Sequence, residues 1–194
     1  VREIPGALVP EIAAGPEAAA RSFNAAPDYR FAGELRGYQS DGVKYMQWMT
    51  DRNFNVILAD EMGLGKTVQL LALLASRKLR NSPPALIVCP ASLVANWERE
   101  AHKFVPGFRV AAPAGHDRAD MFKEVNSYDL VILSYAAARL SADKLKHCSF
   151  SFLVLDEAQH IKNPGSSNAK NCKSIAAAHR IVLSGTPLEN SPED

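Results

Sequence analysis

The sequence predicts an α/β domain with a mainly parallel central sheet flanked by helices. Three observations carry that reading. Six short, continuous apolar runs recur between Val56 and Leu183, the pattern of strands buried on both faces of a parallel sheet. Helical stretches separate several of these runs, and such alternation is the signature of an α/β architecture. The 194 residues, 47% of them hydrophobic and 22% charged, suffice for one compact domain with a full core.

Residues 1 to about 30 are rich in Ala, Pro and Gly and include Pro5, Pro10, Pro16 and Pro27. They read as a linker or loosely packed leader, with the domain proper spanning 31–194. The expected strands are Val56-Ile-Leu-Ala59, Leu86-Ile-Val-Cys89, Phe108-Arg-Val-Ala111, Leu130-Val-Ile-Leu133, Phe152-Leu-Val-Leu155 and Ile181-Val-Leu183. Residues 66–79 are apolar nearly all round, as a helix packed inside a fold would be. Residues 92–105 read as a second helix, with Ser92 as N-cap and Pro106-Gly107 as its stop. In such a domain the working edge lies at the carboxyl ends of the strands.

The formal net charge of +1, from 22 basic and 21 acidic residues, neither demands nor excludes nucleic acid, because binding needs local clustering rather than a global surplus. Cys89, Cys148 and Cys172 are far apart and lack metal-ligand spacing. They read as unpaired thiols in a reducing compartment. No apolar run approaches a membrane span and the N-terminus lacks the pattern of a signal peptide, so a cytoplasmic protein is expected. Among the histidines, His116 and His160 are read as structural.

The chemistry begins at Leu58-Ala-Asp-Glu-Met-Gly-Leu-Gly-Lys-Thr-Val-Gln69. A strand leads into a glycine-containing turn and then a helix, the context of a phosphate-binding loop. Gly63 and Gly65 let the backbone turn and approach a ligand closely. Met62, Gly63, Leu64, Gly65, Lys66, Thr67 and Val68 thus form the expected nucleotide-binding segment, its N–H groups and helix dipole facing the phosphates. Lys66 reaches the β- and γ-phosphates and the Thr67 hydroxyl ligates Mg²⁺. Asp60 and Glu61 depart from the usual loop pattern, which has glycine at position 60. A carboxylate aimed at ATP would be repelled, so it is expected to point away or meet a cation, and Asp60 or Glu61 is expected to face a cleft and pair with a basic group from outside this chain.

A second site follows at Phe152-Leu-Val-Leu-Asp-Glu-Ala-Gln159, an apolar strand ending in paired acids. Asp156 is expected to hold Mg²⁺ and Glu157 to orient and deprotonate the attacking water. Trp97 reads as core packing on its helix.

With both segments in place, the chain resembles the first motor lobe of superfamily-two helicases, and more narrowly the Swi/Snf family of ATP-dependent double-stranded DNA translocases. Leu35-Arg-Gly-Tyr-Gln-Ser-Asp-Gly-Val43 resembles the adenine-contacting motif of that family. Leu58–Thr67 resembles its phosphate loop, Leu86–Glu98 its next motif and Ser134-Tyr135 a following one. Leu155–Pro164 and Leu183-Ser-Gly-Thr-Pro-Leu-Glu-Asn190 complete six motifs in order. Gln159 stands where the family more often has histidine, and Gly37 where a proline is frequent.

The resemblance implies a three-layer RecA-like fold of the P-loop NTPase class. It implies that Gln39 contacts adenine and that Gln159, Ser184 and Thr186 couple nucleotide state to DNA grip. It implies further that Pro90, Ser92, Leu93, Ser134, Tyr135, Lys162 and Asn163 contact the backbone of double-stranded DNA, with little sequence preference. The cofactors are then ATP and Mg²⁺, the partner is a second RecA-like lobe beyond Asp194, and the molecule is a monomer without membrane association. The wording of the motifs is similar to bacterial members, which would place the protein at the nucleoid; a eukaryotic member would be nuclear. Without a second lobe the chain is expected to bind ATP–Mg²⁺ weakly and hydrolyse it very slowly. Two alternatives stay open: the motor of a restriction or strand-separating helicase, and a nucleotide-binding module without turnover.

Overall fold

In the computed structural model, residues 31–61, 63–77, 82–115 and 117–185 are described. Met62, His116, Thr186 and the leader at residues 1–30 lie outside them. The elements in chain order are α1 (Gly37–Asp51), β1 (Val56–Leu58), α2 (Lys66–Arg77), β2 (Ala85–Cys89), α3 (Val94–Phe104) and β3 (Val110–Ala111). There follow α4 (Asp117–Lys123), β4 (Leu130–Ser134), α5 (Tyr135–Leu140), α6 (Ala142–Leu145), β5 (Ser149–Asp156), α7 (Ser167–Ser174) and β6 (Ala176–Leu183).

The six strands form one sheet in the order β1-β6-β5-β2-β4-β3, every pairing parallel. The apolar runs alternate between two cores, which explains their continuity. Ile87, Ile132, Phe152 and Val154 face a cluster with Met46 of α1, Leu70 and Leu73 of α2 and Trp97 of α3. Leu86, Val88, Val131, Leu133, Leu153 and Leu155 face the opposite cluster with Met121, Ala138, Leu145 and Cys172. Helices therefore cover both faces, giving the expected three layers.

Three local expectations change. Ser92 does not cap a helix: it sits in a 3₁₀ turn, Ala91–Leu93, and α3 begins at Val94. The third strand shortens to two residues because the Arg109 amide donates to the Asp129 carboxylate at 2.8 Å instead of joining the ladder. The last strand extends back to Ala176, pairing Ala176 and Ala177 with Ser149 and Phe150. An alanine-rich segment becomes strand there because its partner demands it, not from propensity.

Burial accounts for the thiols: Cys89, Cys148 and Cys172 are all buried and unpaired. Loss of solvation pushes Cys89 up to about 12 and Cys172 to about 11, so both stay protonated near neutrality.

Arg180 of β6 ties the end of α7 to the sheet. Its guanidinium donates to the carbonyls of Cys172 (2.9 Å), Lys173 (3.4 Å) and Ile175 (2.5 Å), where a cation also complements the helix dipole. Arg180→Met keeps apolar volume but strands these carbonyls. The expected loss is about 1–3 kcal/mol, read as a lower urea midpoint at unchanged slope; an unaltered midpoint would show that the carbonyls find water instead.

Because all strands run the same way, their carboxyl ends share one side of the sheet. Leu58 lies beside Leu183, and Leu183 beside Asp156, so β1, β6 and β5 finish at one level. Cys89 and Ser134 end β2 and β4 side by side next to them. Among the described residues, no helix is long and apolar enough to cross a membrane.

Candidate functional site

The loop after β1 turns on Gly63 (φ 87°) and Gly65 (φ 83°), both in the left-handed region that disfavours a side chain. A Cβ on Gly65 would meet Gln39 Nε2 at 2.5 Å, so glycine there also makes room for α1. Gln39 uses both ends of its amide within the chain. Its Oε1 accepts from the Arg36 amide at 3.0 Å, and its Nε2 donates to the Leu64 carbonyl at 3.1 Å. The Tyr38 hydroxyl donates to the same carbonyl at 3.2 Å. The first turn of α1 thereby grips the tip of the phosphate loop. Gln39 sits where the sequence expects an adenine contact; Oε1 still has a second lone pair to offer.

Lys66 opens α2 and braces the loop from inside. Its Nζ donates to the carbonyls of Asp60 at 2.7 Å and Glu61 at 3.0 Å. Thr67 and Val68 follow in the first turn, half-buried. Asp60 takes a neutral partner within the chain. Its Oδ2 accepts from Gln69 Nε2 at 2.8 Å, which turns the carboxylate onto α2. An acid fits at position 60 because an amide of the next helix satisfies it locally.

At the end of β5, three elements hold Asp156, which is only 8% exposed. Trp97 of α3 donates its indole N–H to Oδ2 at 2.8 Å, and the Glu157 amide donates to Oδ1 at 2.9 Å. The Tyr135 hydroxyl donates to the Asp156 carbonyl at 2.9 Å. Burial raises the Asp156 carboxyl above the usual range; the Trp97 and Glu157 hydrogen bonds and the positive charge of Lys66 oppose the rise. Glu157 is left-handed (φ 51°, ψ 64°), unusual for a side-chain-bearing residue. That twist lies where the chain leaves β5 for the 3₁₀ turn Ala158–Ile161. Trp97, read as packing, is indeed buried at 2% exposure. Its bond to Asp156 was not legible in the sequence.

The remaining predicted residues share this edge. Ser184 is buried at the end of β6, and its amide donates to the Leu58 carbonyl at 3.2 Å. Gln159 lies exposed in the 3₁₀ turn after Glu157, while Thr186 is outside the described residues. Pro90 and Leu93 are half-buried and Ser92 is exposed. Ser134 Oγ accepts from the Ala137 amide, capping α5. Lys162 and Asn163 are exposed, with Asn163 Oδ1 accepting from the Gly165 amide at 2.9 Å. Tyr135 differs most from expectation: it is buried, bonded to Asp156 and packed against His160 at a ring distance of 5.2 Å.

A cavity of about 460 Å³ joins the loops after β2, β4 and β5. Ala91, Ser134, Tyr135, His160 and Ser166 line it together with Arg139. The sequence reading missed Arg139, because a lone arginine in a short helix carries no spacing signal.

The comparisons with known proteins agree with this fold. A profile described as the SNF2-related domain matches residues 38–194. An uncharacterized ATP-dependent helicase of Mycoplasma pneumoniae is 37% identical over 172 residues, covering 87% of this chain and 17% of that protein. Helicase swr1 of Schizosaccharomyces pombe is 36% identical over 170 residues, covering 84% and 13%. Among solved structures, the Sulfolobus solfataricus SWI2/SNF2 ATPase core in complex with dsDNA superposes with a TM-score of 0.78 at 37% identity, covering 89% of this chain and 36% of that one. The chain thus spans a small part of its curated relatives, which come from bacteria and eukaryotes alike. The profile match takes in most of the chain, which therefore belongs to the SNF2-related domain family.

Proposed function

We propose that the chain is the ATP-binding lobe of a DNA-dependent ATPase that moves along duplex DNA when joined to a second RecA-like lobe. The observation that carries this reading is the common level at which β1, β6 and β5 end. It brings the phosphate loop, Ser184 and the Asp156–Glu157 pair to one edge of the sheet. The Swi/Snf motif series and the dsDNA complex of the Sulfolobus relative support it.

In this reading, backbone N–H groups of residues 63–67 and the Lys66 ammonium hold the polyphosphate. Thr67 and Asp156 are the magnesium ligands. The donor set fits a hard cation: a hydroxyl and a carboxylate, the latter with a lone pair remaining on each oxygen beyond the bonds from Trp97 and Glu157. Magnesium, when bound, neutralises charge on the phosphates. Glu157 accepts the proton of the water whose oxygen bonds to the γ-phosphorus as the bond to the bridging oxygen breaks. Gln39 reads adenine. Gln159, Ser184 and Thr186 relay nucleotide state to the DNA side. There Pro90, Ser92, Leu93, Ser134, Tyr135, Lys162 and Asn163 meet the DNA backbone, and Ser134 and Tyr135 line the same cavity as Arg139, a cation suited to a phosphate.

The test is ATPase activity of the intact protein with duplex DNA, single strands or none, beside a strand-displacement assay. Several-fold stimulation by duplex, a steep fall with salt and little unwinding are expected. Strand separation would favour the other superfamily-two reading, and nucleotide binding without turnover would reduce the chain to a binding module. The 194-residue chain alone is expected to turn over very slowly, because the second lobe supplies arginines typically worth about 10³–10⁵ in rate.

A further inference from the structure

We propose that Trp97 is a positioning residue for the magnesium-binding carboxylate, acting through its indole N–H on Asp156. This rests on the ATP–Mg²⁺ reading above.

Asp156 is fixed at both carboxylate oxygens by donors of different origin. The Glu157 amide belongs to its own strand end, whereas the Trp97 indole comes from α3, 59 positions away. Two bonds to two oxygens define the plane of the carboxylate and remove its torsional freedom. Asp156 as a residue is 8% exposed and Trp97 2%, so both partners are buried and water cannot easily replace either. A buried indole N–H needs an acceptor, and here it takes the one group whose orientation decides how a cation is met. Outer partners of this kind orient ligating carboxylates, and their loss typically weakens metal binding about 10–100-fold.

The same contact links two sides of the sheet edge. Trp97 lies one turn into α3, which starts directly after Pro90, Ser92 and Leu93. Tyr135 follows Ser134 and holds the Asp156 carbonyl, fixing the backbone while Trp97 fixes the side chain. The helices that follow β2 and β4 thus each supply a side chain that grips Asp156. Phenylalanine at position 97 would fill most of the same volume and pack against the same core, but it cannot donate. The role assigned to Trp97 is therefore separable from its packing.

The experiment titrates magnesium against a fluorescent ATP analogue bound to the intact protein, comparing wild type, Trp97→Phe, Asp156→Asn and the double variant. Trp97→Phe is expected to raise the magnesium concentration at half-saturation about 10-fold, with binding in EDTA unchanged. The double variant should be no weaker in magnesium than Asp156→Asn alone, since both changes act through one carboxylate. Equal weakening with and without magnesium, or additive effects in the double variant, would overturn the proposal and leave Trp97 a packing residue. Should Trp97→Phe fail to fold, benzothienylalanine at position 97 replaces the N–H by sulfur at nearly constant ring volume, with the same two outcomes. If the wild type does not bind the analogue at all, the nucleotide reading itself fails. If it binds with a magnesium requirement that Trp97→Phe leaves unmoved, only the role of Trp97 fails.

Discussion

Glu157→Gln is expected to leave the site able to bind nucleotide and nearly unable to hydrolyse it. The substitution conserves volume and removes only the carboxylate proposed to accept the proton. The bond that fixes Asp156 Oδ1 comes from the Glu157 backbone amide, so it survives the change. The left-handed backbone at φ 51° is equally uncomfortable for either side chain, so the turn is retained at the same local cost. Loss of a positioned general base costs about 10²–10⁴ in rate, and a drop of that size is expected in duplex-stimulated turnover. Affinity for ATP–Mg²⁺ should stay within about twofold, as expected when a group acts only in the transition state. Turnover within about tenfold of wild type would exclude Glu157 as the base. Glu157→Gly makes a useful contrast: it relieves the backbone and still removes the base, so equal loss in both variants assigns the effect to the carboxylate alone.

What the sequence disclosed depended on how local the physics was. β2, β4 and the second half of β5 were legible because both faces are buried, which leaves an uninterrupted apolar run. The turn after β1 was legible because it is a backbone device: two glycines at positive φ and a lysine at a helix start fall within four residues, Gly63 to Lys66. The first half of β6 was not, since Ala176-Ala-Ala-His-Arg180 has no strand periodicity and is drawn into the sheet by β5. Ser92 carried a sound local signal for a cap, overridden by a 3₁₀ turn that delays α3 by two residues. Contacts between distant segments stayed hidden altogether. Nothing in the spacing of Trp97 and Asp156, or of Tyr135 and Asp156, announces that they meet. The same holds for Gln69: its reach back to Asp60 explains an acid that the sequence marks only as an anomaly.

That anomaly bears on the second large effect, the loss expected from Lys66→Ala. In the structure the ammonium holds the loop through the carbonyls of Asp60 and Glu61, and its charge favours the ionised form of Asp156. Alanine removes the two internal braces and the cation nearest the expected phosphates in one step. Electrostatic donors aimed at developing charge are worth about 10²–10³ in rate each, so turnover should fall by at least that factor. In the proposed reading the lysine meets the phosphates in the ground state and not only during transfer, so binding should weaken as well. This is the opposite split from Glu157→Gln, where binding persists. Stability should scarcely change: the carbonyls of Asp60 and Glu61 lie at the loop and can turn to water, and substitutions of that kind usually stay within about 0.5 kcal/mol. The check is paired measurement of ATPase rate, ATP-analogue affinity and thermal midpoint on the two variants. A Lys66→Ala protein that binds the analogue as tightly as wild type would show that the backbone N–H groups of residues 63–67 hold the phosphates unaided. Lysine would then act in transfer only, and the distinction between the two variants would vanish. Neither variant touches the Gln69 amide, so the hydrogen bond that turns the Asp60 carboxylate onto α2 should persist in both.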